Sequence, residues 1–523
     1  MKKGDTARRA PWKLEARLAY PGAVLSGLLY FLAFGGMDVW PLAFCAWVPL
    51  VVAMRGQTPR SSTLLGWLAG ITMTVTGFFW LQQFLRTFSG FPSAICALFV
   101  LLVCGYQGGR VALLGWLYGR ASARKWPANL VFGAAFVASE LLYPLLFPWY
   151  YAATVHQVPA LTQTADLGGP IAVGLVLVTV NLALAELVIA GVERRRPQVA
   201  TLGAGVTTIA LACVYGALRI RAVDDLAGVA PEATVGVVQA NMGLIEKRVE
   251  YEEGLRRHLR LSSELERDHH VDFLVWSETS AMRPVRDETY RQELRAGVAR
   301  SIGAPAIFGS VIFRFVDDAR RYVLFNSAIS SDADGAIHSR YDKEYLLAFG
   351  EYLPFGDTFP VLYSWSPNSG HFSPGTSLDP LTVEVRGEAH VVTPLICYED
   401  VLPRFTNDAV RHADPELIVN MTNDAWFGDT IEPWQHLALA QFRAIEHRRY
   451  LVRGTNSGVS AVIDPVGRVV AHSGTVRQEA IFAPIHWLRA HTVYEAVGDW
   501  PWALVSLAAV LGAFVRRREP SQA

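Results

Sequence analysis

The chain has 523 residues with 47 acidic and 47 basic side chains, so its formal net charge is zero. A neutral chain lacks the broad positive field that attracts nucleic acid, and we expect no nucleic-acid partner. Apolar residues make up 51% of the sequence and charged residues only 18%, and the mean hydropathy is +0.24. This composition is unusual for a purely soluble protein and points to membrane-spanning segments.

Long apolar runs alternate with short polar joints over residues 18–217. A helix needs about 20 apolar residues to cross the hydrocarbon core of a bilayer. The pattern predicts eight transmembrane helices, at 18–35, 38–54, 62–82, 91–109, 128–147, 168–190, 199–217 and 499–515.

The stretch between the seventh and eighth predicted helices has a different character. Residues 219–495 carry mixed charge, short β-branched runs and frequent Gly and Pro, which is typical of a soluble α/β domain. We therefore predict a membrane domain with seven helices over 1–218, an α/β domain over 219–495, and a transmembrane helix with a basic tail over 496–523.

Basic residues concentrate in every second loop of this predicted arrangement. They are Lys2, Lys3, Arg8, Arg9, Lys13, Arg17, Arg55, Arg60, Arg120, Arg124, Lys125, Arg194, Arg195, Arg196, Arg516, Arg517 and Arg518. The opposite loops are nearly free of Lys and Arg, with Arg86 as the exception. Because such residues stay on the cytoplasmic side, the pattern predicts both termini in the cytoplasm and the α/β domain outside it.

Three ionisable residues, Arg110, Glu140 and Glu186, lie within or beside the predicted helices. Intramembrane ionisable groups are usually paired or line a cavity. Two interpretations stay open. Either a helix extends to the interface and the carboxylates bond to neighbouring groups, or the residues form a polar path or head-group contact.

Cys397 is the only one of the five cysteines that falls in the predicted α/β domain. The other four, Cys45, Cys96, Cys104 and Cys213, lie in or beside apolar runs and are expected to behave as small hydrophobic residues. A lone thiol in an oxidising compartment is either buried and inert or a working nucleophile.

Polar residues follow several short apolar runs of the α/β domain. The runs 234–241, 271–276, 390–396 and 416–421 are typical of strands in a sheet that is covered on both faces. Ligand-handling residues collect beyond strand ends in α/β folds, and Glu278 and Cys397 occupy such positions. Lys343 lies between them, in a polar and aromatic stretch over 341–356 that predicts a loop.

Glu278, Lys343 and Cys397 together fit covalent catalysis at a carboxyl-type carbon. The thiolate is the nucleophile, so a base must remove the proton of Cys397, and a carboxylate such as Glu278 suits that role where its pKa is raised. An ammonium such as Lys343 and a backbone N–H can stabilise the oxyanion. Alone, each residue also fits a surface or core position, and no single one is specific.

Several motifs resemble the bacterial apolipoprotein N-acyltransferases, a membrane-embedded branch of the nitrilase superfamily. They are FPW (147–149), VWSET (275–279), YDK…FGEYLPFG (341–356), ICYED (396–400), NDAWFGDT (423–430) and QHLALAQFRAIEHRRYLVRGTNSG (435–458). The resemblance implies an αββα sandwich with a catalytic triad of Glu278, Lys343 and Cys397. It also implies that Glu351 and Glu399 support the site and that Tyr398 and Trp426 line it, with structural hydrogen bonds and packing as the alternatives.

The resemblance further implies the reaction and its setting. A fatty acyl chain passes from a phospholipid, expected to be phosphatidylethanolamine, through a thioester on Cys397 to the α-amino group of a diacylglyceryl-cysteine at the N-terminus of an apolipoprotein. The implied enzyme is a monomer in the bacterial inner membrane, with its catalytic domain on the periplasmic side and without metal or cofactor. The rival interpretations are a membrane-anchored amidase that uses water and a transporter with an external binding domain.

Three further segments carry predictions. The long loop over 352–376, rich in Pro, Gly and aromatic residues, is typical of a lid, with an ordinary buried loop as the alternative. Residues 434–449 predict a helix covering the sheet, in which His436 and His447 are surface or structural histidines. The segment 241–253 lacks a Trp that some relatives carry nearby.

Overall fold

The computed structural model describes residues 12–243, 246–316, 322–366 and 369–517. Five basic residues of the predicted charge pattern, Lys2, Lys3, Arg8, Arg9 and Arg518, lie outside this part of the chain. So do residues 244–245 of the segment 241–253 and residues 367–368 of the predicted lid.

The N-terminal part is a bundle of apolar helices. Its α-helices are Ala16–Ala33, Val48–Met54, Pro59–Gly77, Leu81–Ser89, Ser93–Ala123, Ala128–Leu142, Pro159–Thr162, Ala165–Glu193 and Val199–Ala227, with 3-10 turns at Trp40–Phe44 and Tyr151–Val155. The C-terminal helix Trp500–Phe514 packs against Ser93–Ala123 and Ala128–Leu142 and so completes the bundle.

Four helices of the described chain are long and apolar enough to cross a membrane: Ala16–Ala33, Ser93–Ala123, Ala165–Glu193 and Val199–Ala227. A fifth candidate is the pair Pro59–Gly77 and Leu81–Thr87, which is bent by 60°. Three shorter apolar helical segments, Trp40–Met54, Ala128–Leu142 and Trp500–Phe514, occupy the other predicted positions. A 15-residue helix such as Ala128–Leu142 is only about 22 Å long, so eight complete crossings are not confirmed.

Arg110 lies inside one continuous helix, Ser93–Ala123, and not after a helix that ends at residue 109. Its Nη1 atom donates to Glu140 Oε1 and to the carbonyl of Trp149, both at 2.8 Å, and its guanidinium stacks 3.4 Å from the centre of the Trp149 ring. Glu186 pairs with Arg195, whose Nη2 is 2.9 Å away. Both intramembrane carboxylates are therefore ion-paired.

The α/β domain contains thirteen strands among the described residues. They are β1 Glu232–Gln239, β2 Phe273–Trp276, β3 Ala281–Arg286, β4 Ala306–Phe315, β5 Tyr322–Ser331, β6 Ile337–Asp342, β7 Leu381–Val385, β8 Glu388–Ile396, β9 Leu417–Thr422, β10 Tyr450–Thr455, β11 Ala461–Ile463, β12 Val469–His472 and β13 Glu479–His486. Its α-helices are Glu246–Val249, Tyr251–His269, Tyr290–Leu294, Arg300–Ile302, Val361–Trp365, Pro403–Ala413, Glu432–His447 and Val493–Val497.

The strands form two sheets with a parallel centre and antiparallel edges. One sheet has the order β13-β1-β2-β4-β5-β6, with β3 beside β4, and the other has the order β12-β11-β10-β9-β8-β7. Strands β1, β2 and β4 are parallel, as are β8, β9 and β10. Strands β2 and β8 lie in different sheets, and the residues that follow them line one cavity, so the carboxyl ends of the two parallel centres lie at the same edge of the sandwich.

Each sheet is covered on both faces. Their inner faces share one core, in which Val237 and Val275 lie in the same cluster as Val392 and Val419. Tyr251–His269 covers the outer face of the first sheet, and Pro403–Ala413 and Glu432–His447 cover the second. This αββα layering confirms the predicted sandwich.

Helix Glu432–His447 is covered on two sides, because it lies between the second sheet and the membrane helices. Its Gln435 side chain accepts a hydrogen bond from Trp80 Nε1 at 3.0 Å. His436 and His447 are 6% and 0% exposed. The structural alternative for these two histidines therefore holds, and a surface position is wrong.

The buried Arg110–Glu140 pair yields a stability prediction. Arg110→Met leaves the Glu140 carboxylate buried without its cation, and we expect a loss of about 3–5 kcal/mol in the free energy of unfolding. The matched double variant Arg110→Met, Glu140→Met removes both charges and should recover most of that loss. Thermal unfolding of the purified variants in detergent measures both effects. A single variant as stable as the wild type contradicts the prediction.

Candidate active site

Cys397 lies in a sharp turn directly after β8. Its φ angle of 51° is in the left-handed region, which is strained for a residue with a side chain. The turn leads into a 3-10 helix over Cys397–Val401, and Asn420 Nδ2 donates to the Cys397 carbonyl at 3.3 Å. Burial, with the Glu278 carboxylate nearby, raises the pKa of the Cys397 thiol well above its usual value. The resting thiol is therefore protonated and needs a base.

Glu278 follows β2 and lines the same cavity as Cys397, a cavity of about 270 Å³. Its Oε1 atom accepts a hydrogen bond of 2.5 Å from Asn326 Nδ2 and lies 3.8 Å from Lys343 Nζ. Its Oε2 atom is buried without a hydrogen-bond partner in the described chain. Burial raises the pKa of Glu278, although Lys343 acts in the opposite direction. A carboxylate with one free oxygen and a raised pKa is suited to accept a proton.

Lys343 lies one residue beyond β6 and also lines this cavity. Its Nζ atom donates to Glu351 Oε2 at 2.6 Å. Burial disfavours the charged form, but Glu351 and Glu278 outweigh it and raise the pKa of Lys343 above its usual value. The side chain therefore stays an ammonium, which can stabilise an oxyanion.

Glu351 and Asn326 hold the two charged groups in place. Asn326, on β5, donates from Nδ2 to Glu351 Oε1 at 2.9 Å as well as to Glu278. Glu351 Oε2 also accepts from the backbone N–H of Leu347 at 2.8 Å. Glu351 thus orients Lys343 in the structure. Asn326 was not predicted from the sequence, because β5 also carries Ser327, Ser330 and Ser331 and nothing local distinguishes Asn326 from them.

Glu399 is fully buried behind the nucleophile turn and does not line the cavity. Its carboxylate accepts from the backbone N–H groups of Ile396, Glu344 and Tyr345 at 2.7–3.0 Å and from the Tyr341 hydroxyl at 2.8 Å. Burial raises the pKa of Glu399 to about 7. The residue therefore ties the Cys397 turn to the segment that carries Lys343.

Tyr398 and Trp426 lie at different walls of the site. Trp426 lines the cavity that Glu278, Lys343 and Cys397 share. Tyr398 donates to the carbonyl of Leu146 in the helical bundle at 2.8 Å and lines a second cavity, which Cys397 also lines. The other walls of that cavity are mostly apolar and include Phe34, Phe78, Trp80, Phe147 and Trp149 from the bundle. Cys397 thus adjoins two cavities, one that holds the charged side chains and one with mostly apolar walls.

A second charged cluster lies beneath the site. His436 contacts Asp400 at 2.7 Å and Asp424 at 3.2 Å through its two ring nitrogens, and Arg453 binds the same two carboxylates. Burial and Arg453 oppose protonation of His436, but the carboxylates outweigh them and raise its pKa to about 10. Donor atoms of Asp424, Glu432 and His436 lie within 4.8 Å of one another, a spacing that suits a metal. The charged imidazole of His436 and the guanidinium of Arg453 already neutralise the Asp400 and Asp424 carboxylates. That the site binds no metal stays a prediction.

A family model described as carbon-nitrogen hydrolase matches residues 234–489. The solved structure of Saccharomyces cerevisiae Nit3, a member of branch 10 of the nitrilase superfamily, aligns with 51% of this chain and 94% of its own at 17% identity and a TM-score of 0.36. The family match and the cavity shared by a cysteine, a glutamate and a lysine define an enzyme of the carbon-nitrogen hydrolase class with an added helical bundle.

A second model, described as apolipoprotein N-acyltransferase N-terminal domain, matches residues 26–183 of that bundle. The apolipoprotein N-acyltransferase of Azotobacter vinelandii is 31% identical over 522 residues, which is 96% of each chain. That of Geobacter metallireducens is 29% identical over 513 residues, again 96% of each chain. The chain belongs to the apolipoprotein N-acyltransferase family. Membership favours the acyltransferase interpretation over the amidase and transporter alternatives.

A substitution of Asn326 tests whether its hydrogen bonds hold Glu278 and Glu351 in position. Asn326→Leu removes two hydrogen bonds and frees the Glu278 and Glu351 carboxylates to move, and misplacement by about 1 Å is enough to lower a rate roughly 100-fold. We expect a loss of that size in the rate at which Cys397 is acylated, measured by single-turnover mass spectrometry. Ser331→Ala, on the same strand, removes a buried hydroxyl that has no partner in the described chain and should leave the rate unchanged. An unaltered rate in folded Asn326→Leu contradicts the prediction.

Proposed function

We propose that the enzyme transfers a fatty acyl chain from a phospholipid to the α-amino group of a diacylglyceryl-cysteine at the N-terminus of an apolipoprotein. The observation that carries the proposal is the position of Cys397, which lines both the cavity that holds Glu278 and Lys343 and a second cavity walled mainly by aromatic residues of the bundle. The charged groups of the first cavity suit the reacting ester and amine, and the apolar walls of the second suit the start of an acyl chain.

In the first half-reaction, Glu278 Oε2 accepts the thiol proton of Cys397, and the thiolate attacks the ester carbon of the donor. Lys343 and the backbone N–H of Tyr398 stabilise the oxyanion of the tetrahedral intermediate. The ester C–O bond then breaks, the leaving alkoxide takes the proton from Glu278, and a lysophospholipid departs. A thioester remains on Cys397.

In the second half-reaction, the neutral α-amine of the acceptor attacks the thioester carbon. Glu278 accepts a proton from the attacking nitrogen, and Lys343 again stabilises the oxyanion. The C–S bond breaks, Cys397 recovers the proton from Glu278, and an amide is released. Each substrate enters after the other's product has left, so the cycle is ping-pong.

We propose phosphatidylethanolamine as the donor and a monomeric enzyme, as the family resemblance implies.

The aromatic side chains of the 352–376 loop support a lid that contacts lipid. Phe355, Phe359 and Trp365 are 76%, 57% and 59% exposed. Large apolar groups with this exposure suit a membrane or ligand surface better than water.

Cys397→Ala tests the covalent step. We expect wild-type enzyme incubated with labelled phospholipid to gain one acyl mass on Cys397 and to lose it when a diacylglyceryl lipopeptide is added. Cys397→Ala removes the nucleophile and should show neither the acyl mass nor the acylated lipopeptide, while it still inserts in membranes. Normal turnover by Cys397→Ala excludes the mechanism. Release of free fatty acid by the wild type without lipopeptide acylation would instead indicate the amidase-like use of water.

We also propose that the domain over 219–495 lies on the periplasmic side, between a membrane domain over 1–218 and a C-terminal segment over 496–523, with both termini in the cytoplasm. Contacts between basic loops support a single cytoplasmic end of the bundle. Arg55 pairs with Glu193 at 2.8 Å, next to the Arg194–Arg196 run. Trp126, beside Lys125, donates to the Val515 carbonyl at 2.9 Å.

The two ends of helix Val199–Ala227 test this orientation. Val199 and Val229 are 82% and 83% exposed and lie at the beginning and just beyond the end of the helix. In a background with Cys213→Ala and Cys397→Ala, a membrane-impermeant maleimide added to intact spheroplasts should label the Val229→Cys variant but not the Val199→Cys variant. Lysis should expose both. The reverse labelling pattern contradicts the proposed orientation.

A further inference from the structure

Lys247 is a second buried cation in the active-site cavity. It lies in the short helix Glu246–Val249 that follows β1, is 7% exposed, and lines the same cavity of about 270 Å³ as Cys397. Its Nζ atom donates to the carbonyl of Glu278 at 2.8 Å and to Thr279 Oγ1 at 3.3 Å. The side chain therefore stands beside the catalytic base.

The two lysines of the cavity differ in their partners. Lys343 is neutralised by direct contact with Glu351 at 2.6 Å. In the described part of the chain, Lys247 contacts only two neutral oxygens and forms no ion pair. Burial consequently lowers the pKa of Lys247 to about 8, with Glu278 acting in the opposite direction. An ammonium that is removed from water without a carboxylate in contact is costly, and an anion bound beside it offsets that cost.

The two half-reactions differ in whether they bring such an anion. A glycerophospholipid carries its phosphodiester on the same glycerol as the ester that Cys397 attacks, so both groups enter one cavity together. The diacylglyceryl-cysteine acceptor carries no phosphate and brings an amine. A cation next to the base therefore fits the donor and not the acceptor.

We propose that Lys247 binds the phosphodiester of the acyl donor and is the residue that selects a glycerophospholipid with a negatively charged phosphodiester for the first half-reaction. This assignment rests on the proposed function. When the lysophospholipid leaves, its phosphate leaves with it, and Lys247 returns to the neutral contacts of the Glu278–Thr279 turn.

The competing explanation is that Lys247 only clamps the Glu278–Thr279 turn. A clamp acts on every donor equally because it holds the base. A phosphate-binding cation acts only on donors that carry a negative phosphate. Two donors with identical acyl esters separate these roles: dipalmitoyl phosphatidylmethanol, an anionic diester, and its methyl triester, which has the same shape and no charge on phosphate.

The measurement is kcat/KM for acylation of Cys397 by each donor, in neutral-lipid nanodiscs. Loss of a hydrogen bond to a charged group costs about 10- to 100-fold in such a constant. We expect wild-type enzyme to prefer the diester by that factor, Lys247→Met to lose the preference by becoming slower on the diester alone, and Lys247→Arg to keep it.

Thr279→Val is the matched control for the clamp. It removes one of the two Lys247 acceptors and keeps the charge, so any loss should be equal for both donors. Equal loss on both donors in Lys247→Met, or no donor preference in the wild type, overturns the assignment. The wild-type comparison can overturn the assignment even where Lys247→Met does not fold. If neither donor acylates wild-type Cys397, the proposed function itself fails, which is a distinct result.

Discussion

The site depends on a buried ion pair between Lys343 and Glu351, held together with Glu278 by the amide of Asn326. Burial of such charges is costly unless their remaining polar atoms are bonded. Both oxygens of Glu351 are bonded, so this half of the cluster is rigid. Glu278 has one oxygen bonded and the other without a partner in the described chain. The cluster thereby leaves a single carboxylate oxygen available for a proton, in the cavity that Cys397 lines.

The helical bundle completes the apolar wall beside Cys397. The α/β domain contributes Leu347, Phe427 and Leu439 to this wall, and the bundle contributes Phe34, Phe78 and Trp80. One chain of contacts connects the two parts. Arg110, paired with Glu140 inside the bundle, binds the Trp149 carbonyl, and three residues earlier the Leu146 carbonyl accepts from Tyr398, the neighbour of the nucleophile. Packing within the membrane helices therefore bears on the position of Cys397.

The sequence was sufficient to predict those site residues whose positions follow from a local pattern. Glu278 and Cys397 come directly after parallel strands, and the carboxyl ends of parallel strands lie at one edge of a sheet. Asn326 lies within β5, and its partners are 48 and 25 residues away in the sequence, so no local period reveals it. The sequence pattern placed Arg110 just beyond the end of a helix. Its partner Glu140 lies 30 residues away, so no local signal shows that the charge is paired inside the bundle. The surface alternative for His436 failed because helical periodicity does not show that a membrane bundle covers the second face.

The raised pKa of Glu278 bears on the deprotonation of the acceptor amine. A general base works best when its pKa is close to the operating pH. An α-amino group titrates at about 7.7–8.0 and is mostly protonated at neutral pH. The pKa of an ordinary carboxylate lies far below neutral pH, so such a group accepts this proton poorly. Burial raises the pKa of Glu278 and makes it a stronger base. Burial of the cavity also keeps Cys397 at 4% exposure. The same desolvation thus strengthens the base that accepts a proton from the amine.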